Sequence, residues 1–491
     1  MIDLTVNRKN LERTIARARE NNIVIPKLSQ MRDPALIPEK IKAGLQTVGL
    51  WDIDPLNLFR ISWHNDPQMS GGQFGGVNYL EIPSALSGVP ARIFVLTGKW
   101  FPTGCHKVGA SFGCLAPRLV TGQFDPTYHK AVWPSTGNYC RGGAYNSKLL
   151  SCDSIAILPA EMSRERFEWL STIAGEVIAT PGCESNVKEI FDKTWELRTT
   201  REDVMIFNQF DEMGNQLWHY TVTGKAIEDL YLSVAKDGDR LAGMAFTSGS
   251  AGTMASGDYV KEQYPHAKLA AAEALQCPTL LNNGFGGHRI EGIGDKHVPW
   301  VHNVKNTDMV IAIDDEDSQN LLRLFNTENG RAFLKNELGL EDAFIEQLTL
   351  LGISGIANVL SCIKMAKYYD MTENDLLFTV GTDSAEMYGS RIVELHEQQG
   401  AYSPITAARD YYEHMHGIRT DNMEELTYAS KKRVHNLKYY TWVEQQGKTV
   451  QELDAQWYDY DNYWGGIHKQ AAEIDALIDA FNDEAGVLKD L

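Results

Sequence analysis

The sequence predicts an α/β fold, an open twisted parallel sheet architecture flanked by helices, with helical N- and C-terminal extensions. Three observations predict it. From Val77 onward short β-branched runs alternate with helix-like segments, the pattern of parallel strands covered on both faces. Several of these runs end in glycine-rich or polar loops, where open α/β sheets gather their ligands. The strand signal is weak before residue 75 and fades beyond about residue 400.

Length and charge set the outer limits. At 491 residues, 43% hydrophobic and 23% charged, the chain is long enough for two or three domains with sizeable cores. A net charge of −19 argues against nucleic acid or an anionic membrane as a partner, because either demands a basic surface. Met1-Ile-Asp-Leu-Thr-Val-Asn-Arg-Lys-Asn10 lacks the basic start and apolar core of a secretory signal, and no apolar run approaches membrane-spanning length. The seven cysteines (105, 114, 140, 152, 183, 277 and 362) are odd in number and form no CxxC pair. Reduced thiols in the cytoplasm are expected, with neither a disulfide framework nor a metal site.

Residues 1–75 read as an N-terminal extension. The charged helical stretch Asn10-Leu-Glu-Arg-Thr-Ile-Ala-Arg-Ala-Arg-Glu20 gives way to irregular chain with Pro26, Pro34, Pro38, Pro55 and Pro67. Residues 76–400 read as the α/β core, expected as two subdomains. Strands are expected at Ala91–Leu96, Ser154–Leu158, Gly175–Ala179, Leu241–Phe246, Met309–Ile313 and Asp375–Val380. Residues 401–491 crowd aromatics together (Tyr439-Tyr-Thr-Trp442, Trp457-Tyr-Asp-Tyr460, Tyr463-Trp464) and close on His468–Phe481, whose apolar residues recur at helical spacing. This reads as a helical extension packed on its own core or on a partner subunit. Lys431-Lys-Arg433 reads as a solvated face.

Five loops carry chemistry. Phe101-Pro-Thr-Gly-Cys-His-Lys-Val-Gly-Ala-Ser111 sets Lys107 between glycines after a strand, where a carbonyl cofactor could be held, although a lone loop lysine is ordinarily a solvated side chain. Ser135-Thr-Gly-Asn138 clusters hydrogen-bonding side chains on a turn whose exposed N–H groups suit a carboxylate. Gly249-Ser-Ala-Gly-Thr253 leads into a helix, so small residues and a helix N-terminus together suit a phosphate. It matches neither a dinucleotide fingerprint nor a Walker loop, which counts against a nucleotide-binding α/β protein. His288-Arg-Ile-Glu-Gly-Ile-Gly294 and Val380-Gly-Thr-Asp-Ser-Ala-Glu-Met-Tyr388 complete the set.

In this order the five motifs resemble the fold-type-II enzymes dependent on pyridoxal 5′-phosphate, the superfamily of cysteine synthase, cystathionine β-synthase and the tryptophan synthase β-subunit. The resemblance covers roughly residues 78–395 and includes Asn208-Gln-Phe210 with Asn215, His219-Tyr220 and Thr223-Gly224. It implies two open twisted parallel sheets, with a smaller mobile subdomain spanning roughly 110–225. It also implies cofactor contacts from Lys107, His106, Asn138, Gly249, Ser250, Ala251, Gly252, Thr253, Gly292 and either Ser384 or, second, Thr382 at the pyridine nitrogen. Ser135, Thr136, Gly137, Tyr139 and Gln209 are implied to bind substrate. Phe101, Cys105 and Tyr139 stand where relatives usually have Asn, Ser and Thr, and Tyr139 implies a reshaped substrate pocket. Asp383 matters if it faces the ring, because a carboxylate there keeps the ring nitrogen protonated.

The implied reaction is β-elimination or β-replacement on a small cysteine-like or serine-like amino acid through an aminoacrylate, with Lys107 as cofactor anchor and base. Threonine- or serine-dehydratase chemistry is the alternative. A cofactor-binding regulatory subunit without turnover is a third reading, opposed by the complete lysine, asparagine and phosphate-loop set. A homodimer is the assembly the superfamily implies.

Overall fold

The computed structural model describes residues 1–67 and 73–490. Eleven strands form two sheets. They are β1 (Tyr79–Ile82), β2 (Arg92–Thr97), β3 (Lys130–Pro134), β4 (Asp153–Pro159), β5 (Glu176–Thr180), β6 (Val204–Ile206), β7 (Arg240–Thr247), β8 (Lys268–Ala274), β9 (Met309–Ile313), β10 (Asp375–Gly381) and β11 (Met423–Glu425). The larger sheet has the order β1-β2-β10-β7-β8-β9-β11 and the smaller β5-β4-β3-β6.

All of the smaller sheet and the inner five strands of the larger are parallel. Such strands are covered on both faces and therefore read as continuous apolar runs; in β10 every residue from Asp375 to Gly381 is buried. The edge strands β1 and β11 are antiparallel additions. β11 departs from the expectation of a strand-free C-terminal region. It is only three residues long and pairs Met423 with Ile311, closing one edge of the large sheet. Short edge strands of this kind leave few unpaired backbone groups.

The helices that matter for the site and the termini are α1 (Arg8–Glu20), α2 (Lys107–Val120), α3 (Asn138–Leu149), α4 (Arg164–Ile173), α5 (Val187–Thr200), α6 (Met254–Gln263) and α7 (Tyr460–Ala485). Each of α2, α3 and α6 begins just beyond the carboxyl end of a strand. Their packing needs close approach: a Cβ on Gly109 of α2 would overlap the Trp218 ring, and one on Gly143 of α3 would overlap the Trp133 ring. No single helix among the described residues is long and apolar enough to cross a membrane.

The two terminal extensions are held to each other. Gln470 on α7 bonds both the N–H and the carbonyl of Ile2 (2.9 and 2.7 Å). Asp475 accepts from the N–H groups of Leu28 and Ser29 (2.7 and 3.1 Å), and Asn482 bonds the N–H and carbonyl of Ile25. Arg8 on α1 pairs with Glu484. Both extensions share one hydrophobic core with α2, through Ile15 and Ile25 on one side and Ile474 and Phe481 on the other.

Candidate active site

Loops at the carboxyl ends of strands from both sheets converge on one small cavity. Its wall includes Lys107, Ser135, Thr136, Asn138, Tyr139, Gln209, Gly249, Ser250 and Gly292, so most of the residues singled out in the sequence meet there.

Lys107 opens α2. The segment before it is conformationally forced, with Thr103 at φ 71° although it is not a glycine. The Lys107 Nζ donates to Ser250 Oγ at 3.0 Å. Burial removes water from the amine and lowers its pKa to about 8. Ser250 Oγ also accepts from Asn215 Nδ2 (3.1 Å), which donates again to the Gln209 carbonyl (2.9 Å). Lysine, loop serine and the Asn208-Gln-Phe210 segment are thereby locked together.

The loop Gly249–Thr253 joins β7 to α6. Among the described residues, none of its five successive N–H groups is given to a protein acceptor. Ala251 has φ 59°, and a Cβ on Gly252 would overlap Asn215 Oδ1. Free N–H groups in a left-handed kink at the start of a helix form a cradle for an anion. A phosphate fits this donor set, and Lys107 beside it supplies the amine that an aldehyde-bearing cofactor requires. The residues present therefore fit pyridoxal 5′-phosphate.

Asn138 starts α3 after Gly137, whose φ of 146° is closed to most side chains. Ser135 Oγ accepts the Gly137 N–H at 3.0 Å, which shapes the turn. Asn138 Nδ2 donates to Asp383 Oδ2 at 2.7 Å, while Asn138 Oδ1 is buried without a partner among the described residues. Tyr139 lines the cavity with its ring, edge-on to Trp133 at 5.5 Å, and its hydroxyl donates to Cys114 Sγ at 3.4 Å.

Seven expected residues do not line the cavity: Gly137, Ala251, Gly252 and Thr253, in the loops just described, and His106, Thr382 and Ser384. His106 is buried against the Trp63 and His219 rings (5.5 and 5.2 Å), with neither ring nitrogen bonded among the described residues. Thr382 turns its carbonyl toward Gly98, and the buried Ser384 hydroxyl has no partner among the described residues. Asp383, between them, is fully occupied on one oxygen by Asn138, the Tyr388 hydroxyl (2.8 Å) and Arg166 (3.5 Å). Burial raises the pKa of its carboxyl, with Arg166 opposing.

Sequence reasoning missed the charged residues behind the cavity. Arg166 on α4 is wholly buried and pairs with Glu291 and Asp383, tying the smaller sheet's side to the larger. Glu291 also accepts from Arg391 at 2.6 Å. Glu184, in the loop between β5 and α5, is only 2% exposed. Its position beyond a strand end was the available signal, since the same rule selected the other loops.

No family model matches the chain. It is similar to a probable cysteine synthase of Bacillus subtilis, 26% identical over 245 residues, covering 49% of this chain and 76% of the relative. It is also similar to cystathionine beta-synthase of Saccharomyces cerevisiae, 24% identical over 327 residues, covering 64% of this chain and 60% of that protein. Among solved structures, a hydrogen sulfide-producing enzyme of Fusobacterium nucleatum superposes with a TM-score of 0.55 at 23% identity, covering 68% of this chain and 92% of that one.

Proposed function

We propose that this chain, a member of the fold-type-II superfamily to which cysteine synthase and cystathionine β-synthase belong, is a pyridoxal phosphate-dependent enzyme that eliminates or replaces the β-substituent of a cysteine-like or serine-like amino acid. One observation carries the reading: a lysine amine of lowered pKa faces a phosphate-type cradle of five free N–H groups across a 3.0 Å hydrogen bond.

The cofactor, anchored on Lys107, supplies a conjugated electron sink for charge developing at the substrate Cα. The chain's own residues do the rest. Gly249–Thr253 would hold the phosphate, and Ser384, whose hydroxyl is buried and unpartnered among the described residues, would be the partner of the ring nitrogen, with Thr382 as second choice. His106 supports Lys107 from behind, through the aromatic cluster. Asn138 and Gly292, both in the cavity wall, would hold the ring. Asn138 is kept in one orientation by Asp383. Ser135, Thr136, Gly137 and Gln209 bind the substrate carboxylate, which aims the Cα–H bond at Lys107. The Lys107 Nζ takes that proton, and its lowered pKa keeps a useful neutral fraction near pH 7 to 8. Tyr139 presents a ring rather than a free hydroxyl to the substrate, restricting the size of the side chain admitted.

We place the protein in the cytoplasm as a homodimer. The seven thiols, all free, support a reducing compartment, and the superfamily's habit supports the dimer. The reaction is tested by incubating the protein with L-cysteine, L-serine, O-acetyl-L-serine and L-threonine, with and without sulfide or a thiol. Keto acid or a substituted amino acid is expected from the first three, and Lys107→Ala should lower turnover by more than about 10²-fold while leaving the circular dichroism unchanged. Inertness toward all four substrates would overturn the reading.

A further inference from the structure

Glu184 occupies the boundary between two spaces. It lines an open cleft with Phe167, His288, Arg289, Glu291 and Arg391, and it lies behind Thr136 and Gly292 of the cavity just described. Neither Glu184 oxygen makes a well-formed hydrogen bond among the described residues. The donors that face it are the Thr136 hydroxyl and the Gly292 N–H, both in the inner cavity's wall. The charges that face it are Glu291 and Arg166, and it acts electrostatically on Lys107. A carboxyl this enclosed and unpartnered is costly unless it has a use.

Resting on the reaction proposed above, we infer that Glu184 is the acid that protonates the group leaving the substrate β-carbon. With the α-carboxylate held at Ser135 and Thr136 and the Cα–H bond aimed at Lys107, the β-substituent is the arm left to point at the cleft, past Glu184. The bookkeeping closes. Lys107 takes the Cα proton, and the electron pair of that bond becomes the second bond between Cα and Cβ. The bond from Cβ to the substituent breaks with its pair on the substituent, which takes the Glu184 proton and departs as a neutral molecule through the cleft. The carboxylate left behind faces Arg166, which stabilises it. In replacement the steps reverse: the incoming thiol gives its proton to Glu184 as sulfur bonds to Cβ. Burial raises the Glu184 pKa, with Arg166 opposing, which favours the acid form that donation requires.

The experiment compares the holoenzyme with Glu184→Gln and Glu184→Asp on two kinds of substrate. L-Serine and L-cysteine need a proton on the leaving group; β-chloro-L-alanine does not, because chloride leaves as the anion. Glu184→Gln should lose about 10²-fold or more in kcat on the first kind and stay within about threefold on the second, and Glu184→Asp should recover part of the loss. Bound cofactor, measured by absorbance, and the melting temperature should match the unsubstituted protein. Equal losses on both kinds, no loss on either, or a parallel fall in cofactor content would overturn the role of Glu184. An unsubstituted protein active on β-chloro-L-alanine alone would overturn it too. If the unsubstituted protein is inert on all three, the proposed reaction itself fails, a result distinct from any of these.

Discussion

Asn138 and Asp383 meet across the two halves of the molecule, joined by a 2.7 Å hydrogen bond between side chains that are both buried. Asn138 opens a helix packed on the smaller sheet, and Asp383 follows the inner strand β10 of the larger. The wall of the reaction cavity is thus set by the relative placement of the two sheets, and Arg166 reinforces it by reaching Asp383 from the smaller side and Glu291 on the larger.

Asp383→Ala should therefore damage stability and catalysis together. It leaves the Tyr388 hydroxyl without its acceptor, frees Asn138 to rotate, and removes one of the two carboxylates that neutralise the buried Arg166. A destabilisation of about 3 kcal/mol is expected in urea unfolding, because breaking a buried charge network strands the remaining partner. Asp383→Asn, which retains an acceptor for Asn138, should keep more activity than Asp383→Ala in the same assay.

Gly252→Asp tests the phosphate cradle. Any Cβ at this position overlaps Asn215, and a carboxylate adds a negative charge where an anion is to be held. Cofactor affinity should weaken by at least tenfold, about 1.4 kcal/mol, in an absorbance titration of the apoprotein. Unchanged affinity would show that the phosphate sits elsewhere.

The lowered pKa of Lys107 predicts how cofactor capture depends on pH. Only the neutral amine attacks an aldehyde, so the association rate with apoprotein should climb as pH rises toward about 8 and then level off. For stability the sign follows from protons bound. Between about 8 and the ordinary lysine value of 10.5 the unfolded chain holds a proton that folded Lys107 has released, so this residue makes stability rise with pH across that window. Below pH 8 both states are protonated and the burial penalty is felt in full. Lys107→Met should flatten this rise in apoprotein melting between pH 8 and 10.5.

Much of the site was legible in the sequence because its chemistry comes in contiguous runs. Pro102–Lys107, Ser135–Asn138 and Gly249–Thr253 each carry the residue types their geometry needs within a few positions, and each follows a strand. The six expected strands formed for the same reason: β2, β4, β5, β7, β9 and β10 are apolar runs long enough to recognise. What escaped depends on distant partners. Arg166 sits in Ser163-Arg-Glu-Arg-Phe-Glu168, which has the composition of a solvated helix face; only the docking of the two sheets buries it. The strand β8, Lys-Leu-Ala-Ala-Ala-Glu-Ala, carries little β-propensity, and burial in the centre of the sheet overrides that weakness. For β11, three residues are too few for any periodicity to register.

The clasp between the termini bears on how the chain acquires its final shape. Ile2, Ile25, Leu28 and Ser29 find their backbone partners on Gln470, Asn482 and Asp475, more than 440 positions later. During synthesis at about 5–20 residues per second, the first thirty residues emerge well before the helix that will receive them. They must wait, solvated or loosely held, until residues 470–482 have been made. Loss of the last thirty residues would therefore be felt at the opposite end of the chain, leaving the N-terminal segment undocked beside a core that has otherwise already formed.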